Sequence, residues 1–115
     1  MYFGEHIQLQ SRDDGILDLV IDVQKSGANT LGAAVLEDLG QAVVLLKQHT
    51  SAKGLVIRSA KASFVVGANI HELIELQKQA GAATLEMIQR THALFCSIES
   101  LPFPTVSIVN GMALG

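Results

Sequence analysis

The segment Ser63 to Leu73 (SFVVGANIHEL) gathers the residue types best suited to chemistry in this chain. Gly67 permits a positive φ or a close backbone approach, and Ala68 and Asn69 then present unpaired N–H groups where a helical pattern begins. Such groups, at the positive end of a helix dipole, hold an anion or a developing oxyanion. Every helix has an N-terminus, however, so spacing alone reads this turn first as an ordinary strand-to-helix connection. His92 and Cys96, four residues apart on a helix, outline a thiolate–imidazole or metal pair. No third orienting or ligating residue has a suitable spacing and cysteine favours burial, so both are read as packing residues, and no metal site is assigned. His71 reads as solvated surface, and Glu72, Glu75, Glu86 and Glu99 as solvated faces or caps. Met87 and Phe95 read as core, and Lys25, Lys53 and Lys61 as solvating loop lysines.

The elements that must position the turn follow from periodicity. Ile7 and Leu9, then Ile16 to Val23 (ILDLVIDV), read as two strands joined through Arg12-Asp13-Asp14-Gly15, whose Asp-Gly step signals a hairpin. From Ala33 to His49, Val35, Leu36, Leu39, Val43 and Leu46 keep helical spacing with polar residues between them. Leu55-Val56-Ile57 is a continuous apolar run of the kind found in strands covered on both faces. Phe64-Val65-Val66 reads as another strand that stops at Gly67, and a helix starts at Ile70 with Leu73, Ile74 and Leu76. Asn69 is placed to cap that helix, with Glu72 three residues later approximating a capping box. A longer helix spans about Ala82 to Ser100, with Leu85, Ile88, Phe95 and Ile98 on one side and Glu86 and Arg90 in favourable i,i+4 order. Pro102 and Pro104 end it, and Thr105 to Asn110 (TVSIVN) reads as a strand entering the glycine turn Gly111 to Gly115. Alternating strands and helices give an α/β layered class.

Composition bounds what this arrangement can do. The 115 residues are 49% apolar, 17% charged and 4% aromatic, material for one domain whose core is aliphatic and ordered. With 8 Lys+Arg against 11 Asp+Glu the net charge is −3 and there is no basic block, which argues against generic nucleic-acid binding. The lone Cys96 cannot form an intrachain disulfide, and Met1 to Gln10 lack the regions of a signal peptide, so a reducing compartment is expected. No apolar run approaches the ~20 residues of a membrane span, so a soluble protein is expected.

Lys53 to Leu73 (KGLVIRSAKASFVVGANIHEL), followed by Leu101 to Gly115 (LPFPTVSIVNGMALG), resembles the N-terminal part of the crotonase or enoyl-CoA hydratase/isomerase superfamily. Within it the FVVGAN and VNGMALG wording is most similar to the α-subunits of bacterial multifunctional fatty-acid oxidation complexes. The likeness covers essentially the whole chain: opening hairpin, the Gly27-Ala28-Asn29-Thr30-Leu31 loop, the helix and both glycine turns, in the family's order. It implies a crotonase-like ββα spiral of which residues 1–115 are the N-terminal portion of one domain. It also implies an acyl-CoA or enoyl-CoA thioester as ligand, with coenzyme A part of the substrate and no separate cofactor. Assembly as a homo-oligomer, or in a β-oxidation complex with a thiolase subunit, is implied too, in the cytoplasm of a bacterium or another reducing compartment.

Carried over residue by residue, the resemblance makes the Ala68 N–H one of two donors to an enolate-like oxyanion. The other donor is the middle glycine of a GGG run whose first member looks like Gly115, so it falls one residue beyond the sequence. Gly67, Ala68, Asn69 and Ile70 match the segment that cradles the CoA adenine and the thioester, and Ala28, Thr30 and Leu31 the loop along the pantetheine path. The family usually has Asp where Asn69 stands; both cap a helix, but an interaction needing the charge is in doubt. The two catalytic glutamates of hydratases lie downstream of the positions present, so the chain alone is expected to be inactive in hydration, and its exposed core surface to leave it poorly soluble or partly folded. Two readings stay open beside the hydratase: a crotonase-family isomerase or hydrolase with other acid–base residues, and a non-catalytic α/β module that binds a nucleotide-like ligand or a partner through the same turn.

Overall fold

Residues 1–79 and 81–114 are described by a computed structural model. The chain begins with strand β1 (Tyr2–Phe3), followed by the expected hairpin of β2 (Ile7–Ser11) and β3 (Ile16–Ile21). The hairpin loop closes with the Arg12 N–H on the Ile16 carbonyl at 2.9 Å, the Ile16 N–H on Asp14 Oδ1 at 3.1 Å, and Gly15 at φ +83°, a conformation few L-residues adopt. Ile7 pairs with Ile21 and Leu9 with Leu19, so the apolar residues of both strands share one face. The β3 strand ends two residues earlier than the pattern predicts, because the Val23 N–H leaves the ladder for the side chain of Asn29. Tyr2–Phe3 is too short a run for periodicity to reveal.

Helix α1 (Ala33–Gln48) crosses over to β4 (Gly54–Ser59), which lies parallel to β3. Val35, Asp38, Leu39, Ala42, Val43 and Leu46 form its buried stripe. Its apolar members close a core with Ile7, Leu9, Leu17, Leu19, Ile21, Leu55, Leu101 and Phe103. Helices α2 (Ile70–Gln77) and α3 (Gly81–Glu99) follow, and β5 (Thr105–Ser107) returns parallel to β4, giving the sheet order β1-β2-β3-β4-β5. The layered α/β class is as expected.

Four expectations are corrected. Phe64-Val65-Val66 is not a strand but carries one isolated bridge, Val66 to Leu114, because the chain turns sharply at Ser59–Ser63 and then pairs with loops. The strand expected at Thr105–Asn110 stops at Ser107; after the Ile108 N–H bonds to the Ile57 carbonyl the chain leaves the sheet for its second glycine turn. Only Leu55 of the Leu55-Val56-Ile57 run is buried; Ile57 packs half-buried against the core and Val56 is half-buried. Met87 and Phe95 are exposed, and α3 has no buried residue; it touches the core through the half-buried Leu94 and Ile98.

The buried polar groups are Asp18, Asn29, Asp38 and Ser59, and among the described residues no buried side-chain N or O lacks a partner. Asp18 meets Arg58 on the neighbouring strand at 3.0 Å. Asp38 accepts hydrogen bonds from the Tyr2 hydroxyl, the His6 N–H at 2.7 Å and the Ile7 N–H at 3.1 Å, fastening the first strands to α1. Burial alone would raise the Asp38 pKa, but the bonds from Tyr2, His6 and Ile7 outweigh it and hold it below its ordinary value. The same hydrogen bond, with burial and the Asp38 charge, pushes Tyr2 up to about 12.

Candidate functional site

Three short segments meet where the last two buried polar residues, Asn29 and Ser59, touch. The first is the loop at Asn29–Leu31, the second Phe64–Asn69, and the third the turn at Gly111–Leu114. The Asn29 carbonyl accepts from the Val66 N–H at 2.9 Å, and the Leu31 N–H donates to the Gly67 carbonyl at 2.8 Å, forming a parallel bridge between Leu31 and Ala68. On the other flank the Phe64 N–H donates to the Met112 carbonyl and the Leu114 N–H to the Val65 carbonyl, each at 2.9 Å. The middle segment is thus held on both sides.

Glycine is required twice in this arrangement. Gly67 has φ +98°, which turns the chain so that Ala68 leads into α2. Gly111 has φ +152°, and a Cβ there would stand 2.5 Å from the Ala62 carbonyl oxygen, a backbone atom that cannot swing aside. Asn110 reinforces the approach by donating from Nδ2 to the Lys61 carbonyl at 2.7 Å.

The predicted cap forms: Asn69 Oδ1 accepts from the Glu72 N–H at 3.2 Å at the start of α2. The capping box does not close on itself. Glu72 Oε2 instead accepts from the Ala33 N–H at 2.9 Å, capping α1, whose N-cap Gly32 has no side chain to do so. Ala68 is exposed, and among the described residues no group accepts a hydrogen bond from its N–H. The turn therefore offers one free backbone donor beside a capped helix, the electrostatics suited to a carbonyl oxygen or an anion.

Of the predicted site residues, Leu31, Gly67, Ala68 and Asn69 are brought together, and Ile70 follows with its side chain 69% exposed. Ala28 and Thr30 flank Asn29 and are half-buried; Ala28 bonds back to Ser26 rather than to the turn. Gly115 lies outside the described residues. Lys61 is no solvating lysine: its ammonium bonds the Ser26 carbonyl at 2.8 Å and Asp22 at 3.0 Å, tying the first loop to β4. His92 and Cys96 are in contact at 3.4 Å, with Cys96 half-buried at an open cleft of about 460 Å³ between α1 and α3. That cleft shares no residue with the turn, and no cluster of three metal-ligating side chains occurs among the described residues. No helix among the described residues is long and apolar enough to cross a membrane.

A model of the enoyl-CoA hydratase/isomerase family matches residues 12–115. The chain belongs to that family. A curated relative, the fatty acid oxidation complex subunit alpha of Acinetobacter baylyi, is 37% identical over the whole of this chain, which spans 16% of that relative's length. Among solved structures, an enoyl-CoA hydratase from Mycobacterium smegmatis superposes with a TM-score of 0.77 at 21% identity, over 90% of this chain and 39% of its own. A putative enoyl-CoA hydratase/isomerase from Legionella pneumophila gives 0.82 at 19% identity, over 93% and 40% respectively. An enoyl-CoA hydratase from Bacillus anthracis gives 0.77 at 21%, over 96% and 42%. The α/β layers and the two glycine turns are thus a stretch of the crotonase-like fold of this enoyl-CoA hydratase/isomerase family.

Local pattern places Asn29 only in its loop, makes Glu72 a cap for its own helix and gives Ser59 no role. A signal existed in Asn29 itself, an uncharged amide between an apolar strand and an amphipathic helix with no charged residue within three positions.

Proposed function

We propose that residues 1–115 form the N-terminal part of one enoyl-CoA hydratase/isomerase domain of fatty-acid β-oxidation, binding an acyl-CoA or enoyl-CoA thioester. In this reading the Ala68 N–H is one of two donors that polarise the thioester carbonyl. Charge gathers on that oxygen as water adds across the 2,3-double bond, and a donor already fixed at a helix start needs no reorganisation to meet it. The observation that carries the proposal is the Ala68 N–H, without an acceptor among the described residues and two residues from the bridge at which Leu114 brings the second glycine turn alongside. The second donor is assigned to the position after Gly115, by the family's pattern.

Ala28, Thr30, Leu31, Gly67, Asn69 and Ile70 line the proposed path of the thioester. No acid–base pair serves it within this chain: Glu72, the carboxylate of the turn's own helix, is committed to the Ala33 N–H. The 115 residues alone should bind the thioester and fail to hydrate it. The test is crotonyl-CoA hydration, followed by loss of the enoyl thioester absorbance. It compares this chain, the protein with the rest of the family's fold, and its Ala68→Pro variant, in which the N–H is gone. The short chain should be inactive, and Ala68→Pro should lower kcat by ~10²–10³, the usual effect of deleting one oxyanion donor. Hydration by the short chain, or full activity of Ala68→Pro, overturns the proposal.

A further inference from the structure

We infer that Asn29 is a positioning residue for the Ala68 N–H, so that one buried amide sets the geometry of the oxyanion site; this rests on the reading of Ala68 as a donor. Asn29 is wholly buried. Its Oδ1 accepts from the Val23 N–H at 3.0 Å, while Nδ2 faces Ser59 Oγ at 2.8 Å, the Phe64 carbonyl at 2.9 Å and the Ile21 carbonyl at 3.3 Å. Two amide hydrogens serve these three acceptors, the shortest contacts being those to Ser59 and Phe64. One side chain therefore joins the ends of β3 and β4 to the segment that carries the donor.

The connection to Ala68 is direct along the chain. Asn29 Nδ2 holds the Phe64 carbonyl, the Asn29 carbonyl holds the Val66 N–H, and the Leu31 N–H holds the Gly67 carbonyl. These successive rungs end one residue before Ala68. Ser59 extends the support, since its hydroxyl donates to the Ser63 carbonyl at 2.7 Å and accepts from the Lys61 N–H at 2.9 Å, shaping the bend from which the segment emerges. Among the described residues, Asn29 is the one buried side chain bonded to residues 64–67. Replacing it by Asp sets an acceptor against three acceptors at nearly unchanged volume, releasing the Phe64 carbonyl while Oδ1 can still take the Val23 N–H.

A purely structural role would lower stability without changing how the site treats a carbonyl. The test therefore reads carbonyl recognition in the intact protein, as the ratio of Kd for S-butyl-CoA, a thioether with no carbonyl, to Kd for acetoacetyl-CoA, which presents an enolisable one. In the parent protein the ratio should be large. Asn29→Asp should cut it by about tenfold or more, as the weakening of one hydrogen bond to the carbonyl does, with the thioether's Kd little changed. Val43→Ala, a core truncation on α1, should lower Tm and leave the ratio alone. An unchanged ratio in Asn29→Asp, or an equal fall in Val43→Ala, overturns the inference. A parent protein with no preference for the carbonyl overturns the reading of Ala68 first and the inference with it. Should Asn29→Asp fail to fold, Ser59→Ala removes one Nδ2 acceptor; a smaller fall in the same direction supports the inference and no fall overturns it.

Discussion

The sheet with α1 and the arm formed by α2 and α3 are built from similar apolar residues and use them in opposite ways. In the first region Ile7, Leu9, Leu19, Leu46 and Leu55 are fully buried. In the second, α2 and α3 bury no residue, and Ile70, Leu73, Ile74, Leu85, Met87, Ile88 and Phe95 are exposed. The radius of gyration, 14.6 Å with a longest dimension of 47 Å, exceeds the roughly 13 Å of a compact chain of this length. The candidate site lies on the seam, with Asn29–Leu31 supplied by the packed side and Ala68–Ile70 opening the arm. The Ala68 N–H is therefore anchored from one side and open on the other, as its proposed role as a donor requires.

The largest test of this contrast is a pair of truncations. Leu46→Ala empties space between α1 and the sheet and should cost ~2–5 kcal/mol of unfolding free energy. Ile88→Ala on α3, already 55% exposed, should stay within ~0.5 kcal/mol, as surface changes do. Urea unfolding of both variants measures the gap; equal losses would show that the α3 face is covered in solution and would erase the contrast.

A smaller effect sharpens it within the packed side. Asp38→Asn weakens the clasp on Tyr2, His6 and Ile7, and buried N–H groups left without a full partner cost ~1–3 kcal/mol. The pH dependence has two signs. Because the Asp38 pKa is lowered in the fold, its contribution is complete above the ordinary carboxylate value and is lost as pH falls through the folded one. Because Tyr2 is raised from 10.0 to about 12, its contribution is complete below 10 and is lost as pH climbs toward 12. The variant's stability should therefore be flatter than the parent's at both extremes, as followed by thermal melts across pH. A parallel profile would show that the clasp is not what couples strand and helix.

The same contrast explains what the sequence made legible. The Asp13-Asp14-Gly15 turn, the α1 stripe and the Asn69 cap were readable because each is a local pattern: a turn type, a period and a side-chain bond within three residues. Burial of Met87 and Phe95 was not, because helical spacing says which residues share a face and not whether anything covers it. The placement of Ala68 beside Leu31 and of Leu114 beside Val66 depends on bridges between residues 37 and 48 positions apart, which no local pattern reveals. The side-chain partners of Asn29 and Glu72 likewise lie up to 35 and 39 positions away, so local capping rules assign Glu72 to the wrong helix.

The smallest effect lies at the seam itself. The α2 helix is eight residues long and buries none of them, so its first turn depends on local bonds more than α1 does. Asn69→Ala removes the acceptor of the Glu72 N–H and should cost ~1 kcal/mol, the usual price of a lost N-cap. Amide hydrogen exchange should locate the loss in residues 70–74, while α1 keeps its protection through its buried stripe even though Glu72, its capping carboxylate, sits on the loosened turn. If α1 loses protection together with α2, then the Glu72–Ala33 bond couples the two regions more tightly than their packing indicates, and the seam would act as one unit.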